Sequence, residues 1–249
     1  MFKQLLTVAI IGLSSSIALA EKVELKAHDG FSVFGDFTKS KTPSNKGVLM
    51  LHQCNAERSM YVDLAKGLSK AGISSMSLDF RGFGESIVEG QSIADFRAKA
   101  KSRKHYFEML DKANIGMHRE KDVEQAYQYL VGKLGDNASI SIIGASCGGT
   151  QAVLLSQKHK PDSFIFFSSA MSDKTRGIFK EMSDVPALFI AAQEDGGTFT
   201  SLNKAFLDAK SDKTRMLSYK GNGHGLPLFK QDPSLKGMMI KWFGVNSAN

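Results

Sequence analysis

The sequence predicts an α/β fold, in which a mostly parallel sheet of about eight strands carries helices on both faces. Short apolar segments alternate with amphipathic segments at helical spacing, which is typical of repeated strand–helix–strand units. Some apolar segments, such as residues 48–51 and 164–167, contain no polar residue at all, as expected for strands buried on both faces. Before them, two alternating segments flank His28-Asp29-Gly30 and predict an antiparallel hairpin.

Length and composition favour a single domain. The 249 residues, 42% of them hydrophobic, are enough to bury one sizeable core. Residues 1–20 combine a short positive start, an apolar run and Ala18-Leu19-Ala20, which is typical of a secretory signal peptide cleaved after Ala20. We therefore expect residues 21–249 to form one domain of a periplasmic or secreted protein without a stable membrane anchor. An uncleaved anchor is the alternative.

The formal net charge is +7, which is compatible with anionic substrates but equally with simple solubility. The six histidines are scattered, and neither a nucleic-acid motif nor a metal-ligand spacing occurs. We expect no cofactor, no metal and no nucleic-acid partner.

The strands follow from apolar segments bounded by turn residues. The last of them is weak and is placed mainly by its position before a glycine-rich loop. They are predicted at residues 23–27, 31–37, 47–52, 73–80, 140–143, 163–168, 186–192 and 214–219.

The helices follow from apolar residues at helical spacing and from their end signals, such as Gly72. Residues 171–184 show no such spacing and are predicted as an irregular connection. The helices are predicted at residues 58–72, 96–113, 119–135, 150–158 and 198–210, with a last one after Asp232-Pro233-Ser234.

Residues 87–118 are a candidate cap insertion. The helix predicted within them carries many basic residues and has two interpretations. It is either a solvated basic face, or a cap element that attracts anionic substrates to a pocket. The basic residues are Arg97, Lys99, Lys101, Arg103, Lys104 and Lys112.

Gly144-Ala145-Ser146-Cys147-Gly148 lies between a predicted strand and a predicted helix. This spacing fits the nucleophile elbow, a turn so tight that its flanking positions need residues without bulky side chains. By itself it could equally be an ordinary glycine-rich turn.

Asp195 and His224 are candidate catalytic partners for Ser146 in the elbow. A serine nucleophile needs a base, a group that orients the base, and donors for the oxyanion. Ser146, Asp195 and His224 each follow a predicted strand, where the loops of a parallel sheet converge. We predict that they form a catalytic triad. Glu194 and Asp173 are the alternatives for the acid.

The oxyanion hole is predicted to use two backbone N–H groups. One belongs to Cys147, after the nucleophile, and the other most readily to Cys54, with Gln53 as its neighbour. The two cysteines of the chain would then lie close enough for a disulfide, provided that their side chains face each other. A disulfide and two free thiols both remain open.

Together these motifs resemble the α/β-hydrolase superfamily from about residue 22 onward. The chain looks closest to bacterial serine esterases and lipase-like members, including the dienelactone hydrolase-like group, which implies an α/β-hydrolase fold and hydrolysis of esters or related acyl bonds. The resemblance is carried by Leu51-His52-Gln53, residues 64–68, Ala71-Gly72, residues 79–86, residues 144–149, Gln193-Glu194-Asp195 and Gly223-His224-Gly225.

Two departures from the superfamily matter. Gln53 stands where many members have glycine, which puts the second oxyanion donor in doubt. Dienelactone hydrolases use a cysteine nucleophile, and Cys147 could be read in that role. The glycines at both spaced flanks favour Ser146. His52 and residues 79–84 match positions that support the sheet edge, and we expect structural roles for them.

The sequence thus predicts an exported serine hydrolase that cleaves a small-molecule acyl substrate through an acyl-enzyme. A peptidase or thioesterase of the same mechanism is an alternative, as is a catalytically silent binding protein. The acyl and leaving groups and the oligomeric state cannot be read from the sequence.

Overall fold

A computed structural model describes residues 20–247 of the chain. The signal peptide predicted at residues 1–20 lies, apart from Ala20, outside the described residues. Within them, no helix combines the length and the apolar character that crossing a bilayer requires. Nor do these residues contain a cluster of three or more His, Cys, Asp or Glu side chains suited to a metal ion.

The described residues form one eight-stranded sheet with the strand order β1-β2-β4-β3-β5-β6-β7-β8. β1 pairs antiparallel with β2, and β2 with β4, while every other pairing is parallel. The predicted hairpin and the mostly parallel sheet are therefore confirmed. The strands are β1 Glu21–Lys26, β2 Ser32–Thr38, β3 Lys46–Leu51, β4 Ser74–Leu78, β5 Ser139–Ala145, β6 Phe164–Phe167, β7 Ala187–Ala192 and β8 Arg215–Tyr219.

Helices cover both faces of the sheet, as predicted. A 3-10 turn, Arg58–Tyr61, precedes the first of them. The helices are α1 Val62–Lys70, α2 Ile93–Lys99, α3 Arg103–Lys112, α4 Arg119–Leu134, α5 Cys147–Ser156, α6 Asp173–Glu181, α7 Gly196–Asp208, α8 Leu226–Gln231 and α9 Leu235–Asn246.

Successive side chains of each strand enter opposite cores, because a strand alternates its faces. On β3, Leu49 and Leu51 pack in the core beneath α4, α5, α6 and α7. Val48 and Met50 pack in the core beneath α1, α8 and α9. This explains why the central strands are apolar at every position.

Two predicted segments differ from the structure. The single helix expected at residues 96–113 is two helices, since the Ser102 side chain accepts a hydrogen bond from the His105 N–H and starts α3 anew. The connection expected to be irregular contains α6, whose N-cap is Ser172 and whose Ile178 and Phe179 are buried. Its apolar residues are too few for the helical period to show in the sequence.

Candidate active site

Ser146 occupies the turn between β5 and α5 with a φ of +48°, a backbone conformation that residues other than glycine rarely adopt. Neighbouring backbone holds it there. Its N–H donates to the Phe167 carbonyl at 2.9 Å, and its carbonyl accepts from Ser169 Oγ at 2.7 Å. The end of β6 thus fixes a strained conformation that lifts the hydroxyl above the sheet edge.

The two spaced glycines of the motif allow this turn. A Cβ on Gly148 would lie 2.2 Å from the Leu51 carbonyl oxygen. One on Gly144 would lie 2.4 Å from Gly149 Cα. Both contacts are with backbone, so no side chain could move aside to make room. The steric argument that placed Ser146 at the centre of the motif agrees with this geometry.

Ser146, His224 and Asp195 form one hydrogen-bonded chain. Ser146 Oγ lies 2.9 Å from His224 Nε2, and Asp195 Oδ2 lies 2.7 Å from His224 Nδ1. Since a carboxylate only accepts, Nδ1 carries the proton toward Asp195 and Nε2 accepts from the Ser146 hydroxyl. In this tautomer the imidazole is ready to take the serine proton.

The structure also separates the alternatives for the acid. Glu194 is exposed, and Asp173 is exposed at the start of α6. Within residues 20–247 neither of them bonds to His224, which takes its carboxylate partner from Asp195.

Cys54 and Cys147 form a disulfide with a Cα–Cα distance of 5.7 Å. The question that the sequence left open is therefore answered, and in this state Cys147 has no thiol to act as a nucleophile. Both residues remain partly exposed. Within the described chain no backbone hydrogen bond leaves the N–H of either residue, and that of Cys147 stands at the first position of α5, where no helical partner exists. Two amides thus remain free beside Ser146.

Gln53, predicted as a neighbour of the second oxyanion donor, also connects two loops of the site. Its side chain is buried, its Oε1 accepts from the Leu226 N–H at 3.0 Å, and its Nε2 donates to Asn55 Oδ1. A Cβ on Gly225 would lie 1.8 Å from that Oε1. The Gln53 amide therefore ties the loop after β3 to the loop that carries His224.

Ser168 is a site residue that sequence reasoning missed. It is fully buried at the end of β6 with a φ of +46°, and its Oγ accepts from the Gly225 N–H at 2.9 Å. Together with Gln53 it fixes the backbone next to His224. The only sequence signal was a polar residue at the carboxyl end of an apolar strand.

His52 supports the sheet edge. Its Nε2 accepts from the Phe80 N–H at 3.0 Å, so Nδ1 carries the proton and donates to the Gln53 carbonyl at 2.8 Å. Burial in this position lowers the pKa of His52 to about 4. The neutral imidazole thereby joins the end of β3 to the end of β4.

Asp79 is also fully engaged. Its carboxylate pairs with the Arg58 guanidinium and accepts from the Arg58 N–H at 2.7 Å and the Glu85 N–H at 3.1 Å. Gly84 approaches so closely that a Cβ would overlap the carboxylate. These contacts are those of a turn support.

The candidate cap insertion reaches the site through α2. Arg97 donates to the Cys54 carbonyl at 2.8 Å, and a cleft of about 350 Å³ lies beside this contact. Apolar Phe83, Ile87 and Ile93 line it together with Asn55. The other basic residues of the segment are exposed.

Comparison with known proteins gives one matching family and several solved structures with the same fold. Residues 42–193 match a family described as serine aminopeptidase, S33. This match includes Ser146 and both cysteines and ends before Asp195 and His224. No curated protein matches the sequence significantly.

Several solved structures share the fold. An esterase from an Arctic intertidal metagenomic library superposes with a TM-score of 0.70 at 14% identity, over 92% of this chain and 94% of that one. An esterase from Exiguobacterium antarcticum gives 0.62 at 14% identity, over 90% and 99%. A dienelactone hydrolase from Anabaena variabilis gives 0.62 at 14% identity, over 92% and 99%. The predicted α/β-hydrolase fold is confirmed.

Proposed function

The chain belongs to the S33 serine aminopeptidase family of α/β-hydrolases, and we propose that it is an exported serine hydrolase that cleaves carboxylic esters or related acyl bonds. The observation that carries the proposal is the hydrogen-bonded chain from Ser146 through His224 to Asp195. Nucleophile, base and orienting acid stand in the order and the contact that acyl transfer needs.

The reaction proceeds in two halves. Ser146 Oγ attacks the substrate carbonyl while His224 Nε2 takes its proton, and His224 then returns that proton to the leaving group. In the second half, water attacks the acyl-enzyme while His224 takes its proton, and the acid is released as His224 returns the proton to Ser146 Oγ. Asp195 holds the imidazole tautomer and stabilises the imidazolium that forms. The free amides of Cys54 and Cys147 receive the oxyanion.

Export is supported by two features. Residues 1–20 have the signal-peptide pattern, and the disulfide is of a kind that persists in oxidising compartments. Mass spectrometry of the protein recovered from the periplasm or medium should show a chain that begins at Glu21. A full-length chain confined to the cell interior would contradict export.

Ser146→Ala tests the mechanism. The variant should lose more than about 10⁴-fold in kcat toward p-nitrophenyl acetate, because the nucleophile is gone. Ser156→Ala, which removes a buried hydroxyl from the same helix, should keep full activity. A fluorophosphonate probe should label wild-type Ser146 and leave Ser146→Ala unlabelled. A wild-type protein that neither hydrolyses nor labels would instead be a catalytically silent binding protein.

A peptidase is the second candidate, favoured by the description of the matched family. Both candidates use Ser146, so the choice depends on the leaving group. Comparing kcat/KM for p-nitrophenyl esters, thioesters and aminoacyl p-nitroanilides decides it. We expect the highest kcat/KM for the esters, and a higher kcat/KM for the anilides would establish the peptidase.

A further inference from the structure

We propose that the Cys54–Cys147 disulfide is the positioning element of the oxyanion hole, so that turnover at Ser146 depends on this bond being oxidised. The inference rests on the proposed serine mechanism. It adds that a covalent bond, and not backbone packing alone, sets the distance between the two amide donors.

The bond joins the two segments that supply the donors. Cys147 begins α5 directly after Ser146, and Cys54 lies in the loop that follows β3. Their Cα atoms are 5.7 Å apart, and Cys147 Sγ lies 3.8 Å from the His52 carbonyl oxygen. Both amides are free of backbone partners in the described chain. The disulfide therefore joins the two segments that carry these amides.

The two donors are held unequally without the bond. Cys147 belongs to a helix whose first turn packs through Gly148 against the Leu51 carbonyl. Cys54 is held mainly on one side: the Gln53 carbonyl, which shares a peptide unit with the Cys54 N–H, accepts from His52 Nδ1 and from the Ala56 N–H. On the other side Asn55 is exposed, and the Cys54 carbonyl is held by the exposed Arg97 side chain. An exposed hydrogen bond of this kind contributes little to rigidity. Loss of the disulfide should therefore leave Cys147 in place and let Cys54 shift on its exposed side, which moves its amide relative to that of Cys147.

The bond is open to reduction, because both cysteines are partly exposed at the site. A dithiol supplies the two electrons. Its thiolate attacks one sulfur to give a mixed disulfide, and its second thiol then displaces the remaining cysteine. Cys54 and Cys147 leave as two thiols, and the dithiol becomes a cyclic disulfide. Reoxidation reverses the change.

The test compares oxidised protein with protein reduced by dithiothreitol and freed of reductant. Thiol titration should rise from none to two per chain. Removal of one oxyanion donor costs about 10²–10³ in kcat, so a misplaced donor should cost about tenfold, with KM within about twofold. Reoxidation should restore both the disulfide and kcat. Full kcat in protein that titrates with two thiols would overturn the inference.

Two variants separate positioning from general destabilisation. Cys54→Ala/Cys147→Ala should show the lowered kcat and no response to dithiothreitol. Leu130→Ala, in the core beneath α4, loses stability with the disulfide intact and should keep kcat. An equal kcat loss in Leu130→Ala would assign the effect to stability and overturn the inference. If the double cysteine variant does not fold, kcat of the wild type should fall in proportion to the titrated thiols while its circular dichroism stays constant.

The two proposals fail separately. Oxidised protein that does not react with the fluorophosphonate probe contradicts the serine mechanism itself. Oxidised protein that reacts, and whose turnover is indifferent to reduction, contradicts the positioning role alone.

Discussion

The elbow and the candidate cap insertion show two ways in which this chain builds its site. At the elbow, Ser146 has a strained backbone that β6 and two close-packed glycines hold in place. In residues 87–118, α3 has no buried side chain, and Phe107 and Met117 are 49% and 71% exposed. The elbow is determined by many neighbours at once, whereas α3 contacts the core only through partly buried side chains such as Tyr106 and Leu110. Substitutions should therefore be costly at the first and nearly free at the second.

Gly148→Ala should produce the largest effect. Its new Cβ would meet the Leu51 backbone, which cannot yield, and we expect a loss of about 3 kcal/mol or more in the free energy of unfolding. Urea denaturation measures it. Gly132→Ala is the matched control, because nothing lies within 4 Å of its Cβ position inside α4, and it should stabilise by about 0.5–1 kcal/mol. Equal stability of the two variants would refute the steric account of the elbow.

The free energy of unfolding should also fall in acid, because His52 is buried near the elbow. The pKa of His52 is lowered to about 4 in the folded protein, so between pH 6.5 and 4 the unfolded chain takes up a proton that the native state refuses. Stability is thus fully present above about pH 6.5 and falls by about 3 kcal/mol as the pH drops to 4. His52→Asn should flatten this dependence in urea titrations at pH 7 and 4.5. An unchanged slope would show that other groups cause it.

Gln53→Leu tests the link between the loop after β3 and the His224 loop. The Leu226 N–H would lose its acceptor, at a cost of about 1–2 kcal/mol, and His224 would be less well placed, lowering kcat. Gln91→Leu, which makes the same change at an exposed glutamine, is the matched control and should keep wild-type stability and kcat. Thermal unfolding together with kcat on p-nitrophenyl acetate separates the two. A melting temperature and kcat equal to those of the wild type in Gln53→Leu would show that Gln53 does not position the His224 loop.

Phe107→Ala, in the candidate cap insertion, should have the smallest effect. Phe107 is 49% exposed on α3, so we expect a change within about 0.5 kcal/mol in the free energy of unfolding and an unchanged kcat on a small ester. A loss of several kcal/mol, or of activity, would show that the insertion packs more closely than its exposure indicates.

The same contrast explains what the sequence could predict. Gly144, Gly148 and the residues at strand ends follow from local sterics and from the parallel sheet, so these rules suffice to bring Ser146, Asp195 and His224 together. The roles of Gln53 and Ser168 depend on tertiary contacts between loops distant in sequence. The disulfide depends on side-chain directions that spacing does not contain. α6 and the division into α2 and α3 escaped because the apolar period is short or lost there.

The disulfide also changes the topology of the chain. Cys54 and Cys147 are 93 positions apart, so everything between them forms a closed covalent ring that contains α2 and α3. A protease that cut one peptide bond in residues 87–118 would open this ring without releasing a fragment. The nicked protein would migrate as one species on a denaturing gel and separate into two pieces only after reduction. The exposed helix α3 thus lies in a part of the chain that a single cut cannot detach.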